Sequence, residues 1–200
     1  MLHPSIIVDD FFLNPDAVVD LASKVKYSNK TMKGNRHKPG QRSEMLHENY
    51  PIFFNYVNTK ILKTIYPNED LEYTASTTFQ KVSGKLYPDE GWIHKDPDEL
   101  TAIIYLSKHK SCGTSLCKRI SFEERKKESF DTNKYFEKTL SVDSKYNRLF
   151  LFDSSHWHMS NSFVDKNVKT DRLTLISFLS SIRSKDKNLK HGLIESRKLD

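Results

Sequence analysis

The chain has 200 residues, 36% of them hydrophobic and 12% aromatic, enough to build one domain with a proper core. Charged residues make up 29% and interleave with apolar segments, which excludes general disorder. No apolar run approaches the about 20 residues that span a bilayer, and MLHPSIIVDD has no basic stretch ahead of a long apolar one, so neither a membrane helix nor a secretory leader is expected.

Residues 5–12 (SIIVDDFF) read as a short strand. Asn14-Pro15-Asp16 then has the makings of a helix start: an N-cap, a proline at the first position and an acid in the first turn. Ala17, Val18, Leu21, Ala22 and Val25 recur at helical spacing, giving an amphipathic helix to about Lys26. Residues 27–49, with HKPGQRSEM among them, read as loop, and a second helix is expected from Pro51 to Tyr66, where Pro67-Asn68 stops it. From Leu71 the texture changes. LEYTASTTFQKV is rich in β-branched and aromatic residues and predicts a strand, as do segments 91–95, 100–107, 147–153 and 171–181. Cys112 and Cys117 read as free thiols, which implies a reducing compartment and hence a cytoplasmic protein. One Cys-x4-Cys pair alone is a poor zinc site. Residues 119–146 form a polar, charged insert with helical pieces expected at 122–128 and 133–138.

The net charge is +6, and six Lys/Arg against three Asp/Glu from Arg183 to Asp200 put a surplus of three in the last eighteen residues. Such a tail is first of all a solvated terminus, although a basic surface is also what a nucleic acid or other anionic partner would touch. The expected organisation is one domain over 1–182 and a basic tail over 183–200. Helices first and many irregularly spaced strands afterwards predict an α+β domain, mainly β, around an antiparallel sandwich or barrel.

The chemistry-bearing phrase is Gly91-Trp-Ile-His-Lys-Asp-Pro97. His94 and Asp96 are two apart, so on a strand they share a face, and an imidazole and a carboxylate there can take adjacent corners of an octahedral metal. A second imidazole from a distant strand would complete a facial triad with three positions open, the geometry of non-haem iron(II) sites. By itself His-x-Asp is a common tripeptide and most often a surface pair. Further on, Asn147-Arg-Leu-Phe-Leu-Phe152 reads as a buried strand ending in DSSHWHMSN, which offers both His156 and His158. In the last strand, DRLTLISFLS, Arg172 and Thr174 share a face with Ile176 and Phe178. Either that face is inward, and Arg172 needs an anion, or the Leu173, Leu175, Ser177, Leu179 face is inward and Arg172 is exposed.

The order His94-x-Asp96, then His158, then Arg172-x-Thr174 resembles the 2-oxoglutarate/iron(II) dioxygenase superfamily, especially its prolyl-hydroxylase-like branch. LTAIIYLS (100–107) is similar to the strand that follows the first two ligands there, and Gly113-Thr114 to the turn that opens the next. VDDFFLNPDAVVDLA and PGQRS (39–43) are similar to uncharacterised, often phage-encoded, members. The resemblance covers roughly residues 5–182. It implies a double-stranded β-helix, or jelly roll, flanked by N-terminal helices, with iron(II), 2-oxoglutarate and O2 used to hydroxylate a C–H bond and succinate and CO2 released. It also implies His94, Asp96 and His158 as ligands, with His158 preferred over His156 by its spacing from the serine after the strand. Arg172, Thr174 and Tyr105 would hold the distal carboxylate of the co-substrate, with Gln80 as a further contact. Ile103, Ile176 and Phe178 would shield the reacting centre, and Trp92 and Trp157 would flank the ligands. The loop 27–49, the turn 83–91 and the insert 119–146 would surround the mouth without revealing the substrate, which stays open among a prolyl or other amino-acid residue, a small metabolite and a nucleobase. DRLTLISFLSSIR lacks the second-arginine pattern of the alkylated-base demethylases, which disfavours direct base repair. The rival from a different class is a non-catalytic jelly-roll module that binds an anionic or nucleic-acid partner.

Overall fold

A computed structural model of the chain describes residues 5–28, 40–83, 90–121, 130–165, 168 and 170–184. Among these residues ten strands form two antiparallel sheets. The larger contains β1 (Ser5–Val8), β2 (Tyr27–Ser28), β3 (Gln41–Ser43), β4 (Leu71–Val82), β5 (Leu100–Tyr105), β8 (Arg148–Asp153) and β10 (Arg172–Ser184), in the order β1-β8-β5-β10-β4-β3-β2. The smaller contains β6 (Thr114–Arg119), β7 (Phe136–Val142) and β9 (Trp157–Ser160), in the order β7-β6-β9. Three helices, α1 (Pro15–Lys24), α2 (Leu46–Asn49) and α3 (Pro51–Lys63), stand beside the large sheet. The fold is therefore mainly β with few helices.

The central strands β5 and β8 and the first half of β10 are buried on both faces, so they read as near-continuous apolar runs rather than as clean alternations. One face carries Phe79, Leu100, Ala102, Ile104, Leu149, Leu151, Leu173, Leu175 and Leu179, packed in one core with Val18 and Ala22 of α1 and Val57, Ile61 and Leu62 of α3. Asn58 of α3, fully buried, donates to the Thr77 hydroxyl and accepts from Ser177, so the polar atoms under that helix are paired. The opposite face carries Ile103, Tyr105, Phe150 and Phe152 against Leu116 and Val142 of the small sheet. Both candidate faces of β10 are thus interior, and Arg172 is only 2% exposed. The expectation that one face of that strand meets solvent fails because helices cover one side and the small sheet the other.

α1 starts as expected, with the Asn14 side chain accepting from the Ala17 backbone N–H at 3.1 Å. β1 stops at Val8, and Asp10 turns the chain with a φ of 52°. Three expectations need correction. The stretch 27–49 contains β2, β3 and α2 rather than loop alone: Gly40, at φ +79°, lets β3 approach β4 so closely that a Cβ there would lie 2.1 Å from the Lys81 carbonyl oxygen. The helical piece expected at 133–138 is a 3-10 turn, Phe130–Tyr135, that passes into β7. β7 lies at the edge of the small sheet, and its exposed Glu137 and Lys138 mask the inward set Phe136, Leu140 and Val142. Residues 91–95 form no full strand, and only His94 pairs, through one bridge to His158. The helical piece expected at 122–128 and residues 185–200 of the expected tail lie outside the described residues, while Arg183 and Ser184 still belong to β10.

Candidate metal centre

His94 and His158 are brought together by main-chain pairing. The His94 N–H donates to the His158 carbonyl at 3.0 Å and the His158 N–H to the His94 carbonyl at 2.9 Å. That reciprocal pair puts the two rings side by side, with centroids 4.4 Å apart. Each ring is then turned by a second carbonyl: His94 Nδ1 lies 3.0 Å from the Trp92 oxygen and His158 Nδ1 2.9 Å from the His156 oxygen. A carbonyl only accepts, so Nδ1 carries the proton in both rings and Nε2 faces the site.

Asp96 completes the group. Its carboxylate lies 3.8 Å from His94 Nε2 and 3.2 Å from His158 Nε2, and the ligand atoms of the three residues all fall within 4.8 Å of one another. The Thr101 hydroxyl donates to Asp96 Oδ2 at 2.8 Å, Thr101 and Ser154 share a hydrogen bond at 2.7 Å, and the Asp96 N–H donates to the Ser154 carbonyl at 3.1 Å. Burial pushes the Asp96 carboxyl up, but in the acid range, where both imidazoles are protonated, the His158 hydrogen bond and charge, the His94 charge and the Thr101 hydroxyl outweigh it and hold it at about 2. The Asp96 carboxylate is therefore ionised at any ordinary pH. Two imidazole nitrogens and one carboxylate, each oriented by a further hydrogen bond, are a donor set that fits an iron(II)-like divalent ion.

The three residues line a cavity of about 190 Å³. Gln80, Trp92, Ile103, Ile176 and Phe178 are also on its wall, as expected from the sequence. His156 contributes its carbonyl to the site, and its ring is not part of the ligand cluster. Trp157 turns to the other side, 4.9 Å from the Phe136 ring and capped by Lys95 at 5.1 Å. The remaining expected residues form a buried layer next to the cavity. Arg172 Nε donates to the Cys112 carbonyl at 2.8 Å, and its guanidinium lies 5.6 Å from the Tyr105 ring and 5.8 Å from that of Phe163. Tyr105 donates to the Thr114 hydroxyl at 2.8 Å, and Thr114 reaches the cavity wall.

Two observations in this layer fit a dicarboxylate. Arg172 has no acidic partner among the described residues, and burial pulls its proton affinity below the usual arginine value. Thr174, fully buried and paired across the sheet with Tyr105 on one side and Gln80 on the other, has a side-chain oxygen with no hydrogen-bond partner. A buried cation and an orphaned hydroxyl two residues apart on one strand face are an incomplete arrangement that an anion would complete.

Sequence reasoning missed three residues here. Thr101 and Thr114 carried a weak signal as polar residues in buried strands. Arg42 carried almost none, because an arginine in a polar stretch reads as surface, yet it is on the cavity wall.

No protein-family model matches the chain, and no curated protein matches it in sequence. Solved structures do match in fold. The non-haem α-ketoglutarate-dependent epimerase SnoN of nogalamycin biosynthesis is similar over 88% of this chain and 76% of its own, with a TM-score of 0.60 at 8% identity. HygX from Streptomyces hygroscopicus, solved with nickel, 2-oxoglutarate and hygromycin B, matches over 88% of this chain and 82% of its own, with a TM-score of 0.54 at 10% identity. A prolyl 4-hydroxylase from Phytophthora capsici matches over 88% of this chain and 58% of its own, with a TM-score of 0.50 at 15% identity. The chain thus has the fold of 2-oxoglutarate-dependent non-haem oxygenases, as the order of its motifs implied.

Proposed function

We propose that the protein is an iron(II)- and 2-oxoglutarate-dependent oxygenase, built on a double-stranded β-helix, that hydroxylates a C–H bond of its substrate. The strand order supports that architecture: along the chain, β4, β5, β8 and β10 of the large sheet are interleaved with the His94 segment, which bridges to β9, then with β6 and β7 together, and then with β9. The observation that carries the function is the His94, Asp96, His158 cluster, with both Nδ1 atoms tied to carbonyls and both Nε2 atoms turned to one carboxylate inside a cavity.

Iron and 2-oxoglutarate together supply the oxidising chemistry, which consumes O2 and releases succinate and CO2. The protein supplies position. His94, Asp96 and His158 hold the metal, and Thr101 fixes the carboxylate that binds it. Arg172, Thr174 and Tyr105 hold the distal carboxylate of the co-substrate, Arg172 by charge and Thr174 through its orphaned hydroxyl, with Gln80 on the adjoining strand. Ile103, Ile176 and Phe178 keep water from the reacting centre. The substrate is a prolyl or other amino-acid residue, a small metabolite or a nucleobase. The free, buried Cys112 and Cys117 support a reducing, cytoplasmic setting. Among the described residues no helix is long and apolar enough to cross a membrane.

A non-catalytic binding module accounts less well for this site, since binding an anion needs no oriented imidazole pair. The experiment that separates them is iron(II)-dependent succinate release from 2-oxoglutarate, measured with wild type and His94→Ala. The oxygenase releases succinate only with iron and only with His94. A binding module releases none and keeps its partner after the substitution.

A further inference from the structure

Arg42 is a second cation on the cavity wall, and neither the metal nor the distal carboxylate of 2-oxoglutarate accounts for it. It sits on β3 opposite Gln80 of β4, and its side chain runs along the sheet so that Nη1 donates to the Thr78 hydroxyl at 3.2 Å and Cζ stands 5.7 Å from the Phe178 ring. Its Nε is buried with no partner, and among the described residues no carboxylate lies within ion-pair distance of it. Its electrostatic neighbours are Asp96, which favours its charge, and Arg172, which opposes it.

Strand register puts Arg42 on the rung of Gln80 and Thr174, but its side chain runs from there past Thr78, the partner of Ile176, towards Phe178, whose partner Thr101 holds Asp96. The Arg172 guanidinium turns instead to the Cys112 carbonyl and the Tyr105 ring. The Arg42 guanidinium therefore stands on the metal side of Thr174, by about 7 Å at ~3.3 Å per residue. Charge is what leaves Arg42 in want of an anion. A divalent metal and two arginines bring four positive charges, while Asp96 and a 2-oxoglutarate dianion bring three negative ones, so one positive charge stays uncompensated in a largely enclosed site.

We propose that Arg42 receives an anionic group of the primary substrate, a carboxylate or a phosphate, while Thr78 aims the guanidinium and Trp92, Ile176 and Phe178 pack the apolar part of the same molecule. The assignment rests on the oxygenase reading. It narrows the substrate to a compound with an oxyanion close to the carbon that reacts, since the Arg42 side chain runs towards Phe178, whose partner Thr101 holds Asp96. Gly40 belongs to this device, because only its backbone lets β3 lie against β4.

The test uses the whole protein loaded with Mn(II) in place of iron and titrated by calorimetry. Wild type, Arg42→Gln, Arg42→Lys, Thr78→Val and Arg172→Gln are titrated first with 2-oxoglutarate, then with benzoate, phenyl phosphate and benzamide. Wild type with both metal and 2-oxoglutarate is expected to prefer benzoate or phenyl phosphate over benzamide by about tenfold or more, the scale of a hydrogen bond to a charged group. The stronger of the two anions identifies the oxyanion. Arg42→Gln erases the preference and leaves the 2-oxoglutarate affinity within about twofold, as for a residue that does not touch it. Arg42→Lys and Thr78→Val, which keep the positive charge, retain part of the preference. Equal binding of benzamide and both anions overturns the proposal, as does a tenfold loss of 2-oxoglutarate affinity in Arg42→Gln, with Arg172→Gln, which is expected to lose it, as the reference. Wild type that takes up Mn(II) but no 2-oxoglutarate contradicts the oxygenase reading itself, a separate result.

Discussion

His94 and His158, 64 residues apart, exchange both backbone hydrogen bonds of a single antiparallel bridge, flanked by one bond from Gly91 to Ser160 and one from Asp96 to Ser154. The bridge makes the imidazole pair a property of the main chain, before any metal arrives. It also selects His158 over His156: on a strand, neighbours two apart share a face, but β9 begins at Trp157, and His156 lies in the turn ahead of it, where its carbonyl rather than its ring points to the site.

Removing either ring nitrogen should therefore be far more damaging than removing the neighbouring histidine. His94→Ala and His158→Ala are expected to lower metal affinity by more than about 100-fold, beyond the 10- to 100-fold typical of residues that only orient a ligand. His156→Ala keeps its carbonyl and should stay within a few-fold of wild type. Anaerobic calorimetry with iron(II) measures all three.

Thr101 touches Asp96, not the metal. Thr101→Val removes the 2.8 Å hydrogen bond at nearly constant volume and also strips a partner from Ser154. The expected loss is about 10- to 100-fold in metal affinity, with the fold intact by circular dichroism.

Thr174 gives a prediction in which stability and binding part company. Its hydroxyl is buried without a partner, so Thr174→Val should leave the ligand-free melting temperature unchanged or raised. The same substitution should weaken 2-oxoglutarate by about 5- to 10-fold, the worth of one hydrogen bond of about 1–1.5 kcal/mol. A hydroxyl that was merely structural would give the opposite pattern.

Asp9 ties the end of β1 to β8. It accepts from Arg148 Nε at 2.6 Å, from Arg148 Nη2 at 3.1 Å and from Lys145 at 2.9 Å, and these bonds hold its carboxyl well below the usual carboxylate range. A carboxyl depressed in the folded state adds stability above its unfolded pKa and loses it as the pH falls through the folded one. Asp9→Asn should thus cost up to about 1 kcal/mol at neutral pH, since the pair is part exposed. The difference from wild type should shrink steadily on acidification below about pH 4, the unfolded carboxyl value. Melting curves of both proteins from pH 7 downward would show it.

The centre of the large sheet was legible because burial leaves apolar or β-branched runs there: LEYTASTTFQKV is β4 to the residue, and LTAIIY and RLFLFD needed only end adjustments, whereas the outer strands β2 and β3 read as loop. The small sheet was not. β7 is a polar edge, β9 has four residues, and the His94 segment is placed by one bridge and by scattered bonds from Gly91, Ile93 and Asp96 rather than by a strand. The three residues that cluster, His94, Asp96 and His158, could be picked out from the order of their motifs, since that order follows chain topology. Arg42 could not. Its place depends on Gly40 folding a short polar segment against β4, a tertiary contact for which hydrophobic periodicity carries no signal.

The central claim is that His94, Asp96 and His158 hold an iron ion on which 2-oxoglutarate can sit. Its most direct measurement is the visible charge-transfer absorption of the iron(II)–2-oxoglutarate complex, recorded without oxygen. Wild type and His156→Ala are predicted to develop the band as 2-oxoglutarate is added, and His94→Ala and His158→Ala to stay colourless. Wild type that binds iron(II) but never develops the band, or a His94→Ala protein that develops it fully, would contradict the account.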